Sequence, residues 1–183
     1  MNTGQTLLAI GALVLLGMTV LTTNRSSMQH GTIVNQAEVG LYAVSLAQGK
    51  IEEAAGKAFD TWSASDTAGS GAVITSLTQL TSPTLLGKEG AEAYPTPGFD
   101  DFDDYNYYGA GKAPYTFYVP GVDTFYIQTT VVYVDTLAPD TPVATQTWHK
   151  KMTVKVWPWS TPWATGTRDT ITMTYVYSYW WFR

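Results

Sequence analysis

Four aspartates within five residues are the part of this sequence whose residue types and spacing best suit ligand chemistry. They belong to the acidic, aromatic segment FDDFDDYNYYG, and the candidate metal ligands are Asp100, Asp101, Asp103, Asp104 and Asn106. Ca²⁺ takes roughly six to eight oxygen ligands in flexible geometry, so calcium is the cation that this cluster would suit. The spacing does not match an EF-hand loop, which needs glycine at its sixth position. The alternative interpretation is a surface loop in which the carboxylates form Asx turns with the neighbouring backbone.

Catalytic chemistry is not indicated elsewhere in the sequence. The chain has two histidines, His30 and His149, and no cysteine, and it contains no nucleophile elbow, phosphate-binding loop or paired-histidine metal motif. Both histidines are interpreted as structural or exposed residues. The net charge of −5 argues against nucleic-acid binding. We therefore expect no enzymatic activity, no disulfides and no cofactor other than the calcium considered above.

The elements that must position these residues begin with an apolar segment. Thr6–Thr23 carries no charged side chain, and as a helix it would extend roughly 27 Å, close to the hydrocarbon thickness of a bilayer. A cleaved signal peptide is not favoured, because Met1–Gln5 has no Lys or Arg. Two interpretations stay open: a single membrane anchor, or an apolar helix that packs against copies of itself in a polymer. The residues expected to carry assembly are Gln5, Leu7, Leu8, Ile10, Leu13, Val14, Leu16, Val20 and Leu21.

The helical pattern continues beyond the apolar segment. Apolar residues recur at helical spacing from Ile33 to Phe59, and no proline occurs before Pro83. These observations predict one near-continuous helix from about Gln5 to Phe59, with any break near the glycines at 11, 17 or 31. Residues 1–60 then form the N-terminal helix, and residues 61–183 form a β-rich globular head.

The head is predicted to contain an antiparallel sheet. The predicted strands are Tyr115–Val119, Thr124–Asp135, Gln146–Trp157 and Asp169–Phe182, and Leu137–Thr145 is predicted to be a loop because it contains two prolines. Alternation in the third strand places Trp148, Met152, Val154 and Val156 on one face. We expect that face, continued by Ile171, Met173 and Tyr175, to be covered by the helix face Leu41, Val44, Ile51 and Ala55. The predicted fold class is α+β, a long N-terminal helix packed on an antiparallel sheet.

This arrangement resembles that of type IV pilins and the pseudopilins of type II secretion systems. Three segments carry the resemblance: the helix start Gly4–Ile10, the helix end AVSLAQGKIEEAAGKAF at residues 43–59, and the pair FDDFDDY and KKMTVKVW at residues 99–105 and 150–157. The chain departs from the family pattern in lacking a glutamate five residues into the mature chain. That position is Gln5 if Met1 is the mature N-terminus, and Ala9 if cleavage follows Gly4. Hydrophobic packing between helices would then carry more of the assembly.

The resemblance implies a structural subunit of an extracellular or cell-envelope filament. Its partners would be identical subunits in a homopolymer, with insertion in the inner membrane before assembly and a final location at the cell surface. One alternative is a minor pseudopilin of a secretion pseudopilus. Another is a membrane-tethered binding module that uses its aromatic surface and never polymerises.

Overall fold

The computed structural model describes residues 2–64, 73–90, 98–108, 114–159 and 170–179, without the side chains of residues 107 and 108. The chain divides into two compact units, Met1–Gly40 and Leu41–Arg183. One helix, α1, spans Thr3–Ala55, so its last fifteen residues belong to the second unit. Three short 3₁₀ helices, Thr61–Ser63, Leu77–Gln79 and Asp103–Tyr108, accompany the sheet.

The predicted continuous helix is confirmed, and α1 is unbroken across all of the glycines near which a break was expected. It ends four residues before Phe59, where Gly56 follows Ala55. The chain then turns into the head, where Ala58 forms a parallel bridge with Asp101. Phe59 is therefore a buried core residue of the head and not part of the helix.

Among the described residues, the sheet has five antiparallel strands. They are β1 (Tyr115–Val119), β2 (Asp123–Asp135), β3 (Ala138–Pro142), β4 (His149–Pro158) and β5 (Ile171–Ser178). The order is β1-β2-β4-β5, with β3 paired to the end of β2. The α+β prediction of a long helix packed on an antiparallel sheet is confirmed, and so are the four predicted strands to within a few residues. The outer residues of the last predicted strand, Asp169 and Trp180–Phe182, lie outside the described residues.

The prediction of a loop over residues 137–145 was wrong, because β3 forms there. Its residues are exposed, and it pairs with β2 at only two positions on either side of a register shift. Prolines are tolerated in such an edge strand, where a missing N–H faces solvent. The prolines that indicated a loop are therefore compatible with this peripheral strand.

The turn between β1 and β2 is fixed by its sequence. Val122 N donates to Val119 O at 3.1 Å across Pro120 and Gly121. Gly121 has φ of +79°, the conformation required at the third position of a type II turn, while proline suits the second. This turn sets the register of β1 on β2.

The predicted inner face is buried on β4, while its continuation on β5 is half-buried, as are Ile51 and Ala55 of the expected helix face. The other half of that helix face was wrong. Met152 and Val154 are fully buried, whereas Leu41 and Val44 are exposed. The buried face of this part of α1 is formed by three small residues, Ala43, Ala47 and Ala54. Small side chains bring a helix backbone close to a sheet whose own side chains are large. Leu41 and Val44 consequently point away from the head core, whereas Ile51 is half-buried.

Candidate functional site

The most unusual residue of the head core is Lys150, which is fully buried on the apolar face of β4. Its neighbours on that face are Met152 on the same strand, Tyr133 opposite on β2 and Tyr177 opposite on β5. Strand alternation explains the placement, because Lys150 has the same parity as Met152 and Val154. A lysine is almost never fully buried unless it is paired.

Three oxygen atoms surround the Lys150 ammonium. Nζ donates to Asp60 Oδ2 at 2.7 Å, to the Phe59 carbonyl at 2.8 Å, and to Asp103 Oδ1. An ammonium has three N–H donors, so these three acceptors satisfy it completely. Nζ also lies 4.7 Å from the centroid of the Phe59 ring and 5.5 Å from that of Tyr133. The amine is thus held in a water-excluding pocket of aromatic rings and carboxylates.

The two carboxylates that contact Lys150 have different surroundings. Asp60 follows the end of α1, caps the helix Thr61–Ser63, and accepts the Thr81 N–H at 3.0 Å and the Thr81 hydroxyl at 3.1 Å. Asp103 begins the third 3₁₀ helix, and only its Oδ1 atom contacts Lys150. Within the described part of the chain, the buried Oδ2 atom of Asp103 has no hydrogen-bond partner. Asp60 is therefore the more extensively hydrogen-bonded carboxyl group of the two.

Burial controls the ionisation of this cluster. It raises the pKa of Asp103 well above its ordinary value, although the Lys150 ammonium opposes the shift. It raises the pKa of Asp101 for the same reason. Burial alone would lower the pKa of Lys150, but the nearby Asp103 and Asp60 carboxylates outweigh it and raise that pKa. Lys150 therefore contacts two buried carboxyl groups, and burial raises the pKa of one of them, Asp103.

The acidic segment has the geometry of Asx turns. Asp101 Oδ1 accepts the N–H groups of Asp103 and Asp104 at 2.8 and 3.1 Å. Asp104 Oδ2 accepts the N–H groups of Asp100 and Asp101 at 2.9 and 3.1 Å. These contacts satisfy the start of the 3₁₀ helix with carboxylate caps. The segment is buried rather than a surface loop, because Asp101, Asp103 and Asp104 are all shielded from solvent.

The predicted calcium ligands are only partly brought together. One carboxylate oxygen from each of Asp100, Asp101 and Asp104 lies within 4.8 Å of the others, and the same holds for Glu89, Asp101 and Asp103. Asn106 does something else: its amide donates to the Leu86 carbonyl and accepts the Val131 N–H, both at 2.9 Å. Asn106 thereby attaches the segment to β2, and calcium binding stays a prediction for the aspartates.

A single hydroxyl is shared by two carboxyl groups next to this cluster. Thr61 Oγ1 lies 2.6 Å from Glu89 Oε1 and 2.7 Å from Asp101 Oδ2. A hydroxyl has only one hydrogen to donate, so the second short contact needs another proton or a cation. Burial raises the pKa of Asp101, which favours a proton at this position.

Sequence reasoning found the aspartates of this site but missed Lys150 and Asp60. The signal for Lys150 was its parity, which placed a charge on the apolar face of a strand between Trp148 and Met152. Asp60 stands forty residues before the acidic segment, and local spacing gave no indication of their proximity. The roles of Lys150 and Asp60 can be recognised only in the folded structure, where the segment that follows α1 packs against the sheet.

The predicted assembly residues lie on the first unit, and their apolar side chains are exposed. Along α1 the large apolar side chains from Leu7 to Leu21 are 58–76% exposed. Thr19, Thr22 and Thr23 donate their hydroxyls to carbonyls four residues earlier, at 2.8–2.9 Å. Such back-bonding satisfies the hydroxyls without water. By length and composition, the helix is apolar enough to cross a membrane.

The outer face of the sheet carries an aromatic patch. Tyr126 stacks on Trp157 with ring centroids 5.7 Å apart, and it also contacts Trp159 at 5.4 Å. Beside these rings lies an open groove lined by Gln128, Lys155, Trp157, Thr170 and Thr172. The combination of flat rings with amide, ammonium and hydroxyl groups suits a polar, non-ionic ligand.

Comparisons of the chain with protein-family models, with curated proteins and with solved structures found no match.

Proposed function

We propose that this chain is a pilin-like structural subunit of an extracellular or cell-envelope filament, polymerising through its apolar helix. The observation that supports the proposal is the apolar surface of α1 between Leu7 and Leu21, which is exposed on all sides and contains no charge. Burying each such side chain is worth about 1.5–3 kcal/mol, so this surface strongly favours either lipid or neighbouring helices. Both environments belong to the proposal: the inner membrane before assembly, and a homopolymer of identical subunits afterwards.

The shape of the apolar surface favours a polymer over a simple anchor. The helix continues without interruption from the apolar segment into the head, where Leu41 and Val44 are still exposed. A membrane anchor alone gives no reason for apolar side chains beyond Arg25 to face outward. Contacts with neighbouring subunits provide that reason. A minor pseudopilin that caps or starts a secretion pseudopilus would use the same surface and is distinguished by its low abundance.

The test is a search for the subunit in surface filaments. Filaments sheared from cells that produce the chain should contain it as the main component, and electron microscopy should show a helical assembly. In cells that express Leu13→Asp, filaments should be absent, because an unpaired buried charge costs several kcal/mol. The matched control is Asn35→Asp, which adds the same charge to an exposed position of the same helix and should leave filaments intact. Normal filament yield from Leu13→Asp would end the polymer proposal, and a low share of the chain in wild-type filaments would favour the minor subunit.

A second candidate function is supported by the aromatic patch of Tyr126, Trp157 and Trp159. Two stacked, half-buried rings and the exposed Trp159 beside a polar groove favour the membrane-tethered binding module, with sugars as the ligand class. The full chain in detergent would be titrated with a panel of oligosaccharides, with tryptophan fluorescence as the readout. Saturable binding that Trp159→Ala abolishes, in a chain that forms no filaments, would favour this function.

A further inference from the structure

We propose that the side chains of Lys150 and Asp103 become joined by an intramolecular amide bond, with Asp60 as the group that carries the protons. This modification is independent of whether the chain forms filaments. It concerns three side chains of one pocket, supplied by β4, by the third 3₁₀ helix and by the segment that follows α1.

The reacting groups already touch. Lys150 Nζ contacts Asp103 Oδ1, an atom bonded directly to the carbon that the amine must attack, and it lies 2.7 Å from Asp60 Oδ2. All three side chains are shielded from solvent. Groups held in this way react as if at very high concentration, up to about 10⁵–10⁸ M for well-oriented pairs. Residues 103 and 150 are far apart along the chain, so the contact is a product of the fold.

The surroundings of the two carboxyl groups assign their roles. Asp60 accepts hydrogen bonds from Thr81, and its Oδ2 atom lies 2.7 Å from Nζ, within reach for taking a proton. Asp103 Oδ2 is buried and has no hydrogen-bond partner among the described residues, which favours the neutral acid, the more electrophilic form. The nucleophile, the electrophile and the base are therefore Lys150, Asp103 and Asp60.

The reaction balances without any added reagent. Asp60 takes a proton from the Lys150 ammonium, and the free amine attacks Cγ of the protonated Asp103 carboxyl. The tetrahedral intermediate transfers a second proton from nitrogen, by way of Asp60, to the departing hydroxyl, which leaves as water. The products are one Nζ–Cγ amide, one water molecule and a protonated Asp60, with zero net charge before and after.

The pocket also favours the product over the separate groups. In water, an amine and a carboxylic acid are held apart by the hydration of their ionised forms. The rings of Phe59 and Tyr133 exclude water from Nζ, and this removes much of that stabilisation from the reactants. An amide carries no charge and suits such an environment better than a buried ion pair.

The experiment is mass spectrometry of the full chain, purified in detergent and then denatured. The wild-type chain should be lighter than its sequence mass by one water. A protease map should contain a branched peptide that includes both Lys150 and Asp103. Asp103→Asn should lose one ammonia instead of water and give the same amide, which shows that the pocket still forms in this variant.

Three further variants separate this bond from other causes of water loss. Lys150→Arg and Asp103→Ala should keep their full sequence masses, and Asp60→Asn should do so as well because the base is gone. The matched control is Lys151→Arg, which changes the neighbouring lysine on the other face of β4 and should retain the loss of water. A folded wild-type chain with its full sequence mass would overturn the proposal. So would a loss of water that the map places within a single peptide.

Discussion

Lys150 Nζ lies 2.7 Å from Asp60 Oδ2, and this contact joins two fully buried side chains that are 90 residues apart in the sequence. The pair connects the segment after α1 to the second central strand of the sheet. In a head without cysteine, it links elements that a disulfide would otherwise hold. The pair matters for stability because removing one of the two side chains leaves the other buried without its partner.

Removing one member of this pair should strongly destabilise the head. In the chain before Lys150 and Asp103 are joined, Asp60→Ala leaves a buried ammonium with fewer acceptors, and breaking a buried pair in this way costs about 3–5 kcal/mol. The matched control is Glu53→Ala, which removes one partner of Lys50 from an i,i+3 helix pair whose carboxylate side chain is 39% exposed. Such pairs contribute only about 0–1 kcal/mol. Urea unfolding followed by near-ultraviolet circular dichroism would measure both, and equal losses would contradict the assignment of Asp60 to the core.

The small-residue face of α1 should be intolerant of larger side chains. Ala47 is fully buried, so Ala47→Leu must displace its neighbours and should cost about 1–3 kcal/mol. Leu41 is 68% exposed, and Leu41→Ala should change the free energy of unfolding by less than about 0.5 kcal/mol. Thermal unfolding of the two variants provides the comparison. If Leu41→Ala were the more damaging, the predicted large-residue face would be correct after all.

The stability of the head should increase on acidification because of Asp101. Burial raises the pKa of Asp101 above the ordinary value of 3.8, so the folded chain binds this proton more tightly than the unfolded chain does. The resulting stabilisation is fully present below pH 3.8, the pKa of the unfolded chain. It is lost as the pH rises through the higher pKa that Asp101 has in the folded chain. Asp101→Asn keeps the oxygen that accepts backbone N–H groups but cannot ionise. At pH 8 the variant should therefore melt at or above the wild-type temperature, and this difference should shrink on acidification.

The same variant tests the calcium interpretation. If calcium bound the aspartates, Asp101→Asn would remove a ligand and lower the melting temperature at pH 8. The wild-type melting temperature would then also fall on adding EDTA. If neither change occurs, the calcium prediction is wrong, and the backbone N–H groups that Asp101 Oδ1 and Asp104 Oδ2 accept are what holds the segment.

Two glycines should respond in opposite directions to alanine. Gly121 has φ of +79°, so Gly121→Ala should cost about 1–2 kcal/mol from backbone strain alone. Gly49 lies in α1, and Gly49→Ala should stabilise the chain by about 1 kcal/mol. An added Cβ would meet no other atom within 4 Å at either position, so packing does not contribute. Chemical denaturation would measure the difference, and equal effects would contradict the turn geometry.

Most elements of the fold could be predicted from the sequence, because apolar periodicity records which faces are buried. The long α1 and strands β1, β2, β4 and β5 were all found in this way. The burial of small residues could not be predicted, since Ala43 and Ala47 contribute little to an apolar pattern although both are buried. Strand β3 was missed because its prolines are tolerated only at a sheet edge, which periodicity does not identify.

The acidic residues of the candidate site could be predicted from the sequence, but their contacts with Lys150 and Asp60 could not. The cluster of aspartates was visible as local acidity, whereas their partner Lys150 was hidden among three lysines of one strand. Only the parity of Lys150 distinguished it from Lys151 and Lys155. The role of Asp60 depends on a contact across 90 residues, and no pattern within a single segment encodes such a contact.

The buried charged side chains also affect how the head folds. Before β4 packs in the head, Lys150 is not yet near the other two side chains. Asp60 and Asp103 then have no ammonium beside them, and they keep that part of the chain hydrated. A partly formed head therefore resists collapsing onto itself or onto another chain. The carboxylates and the lysine enter the core together, so the head should fold in one cooperative step that no redox change in its surroundings can reverse.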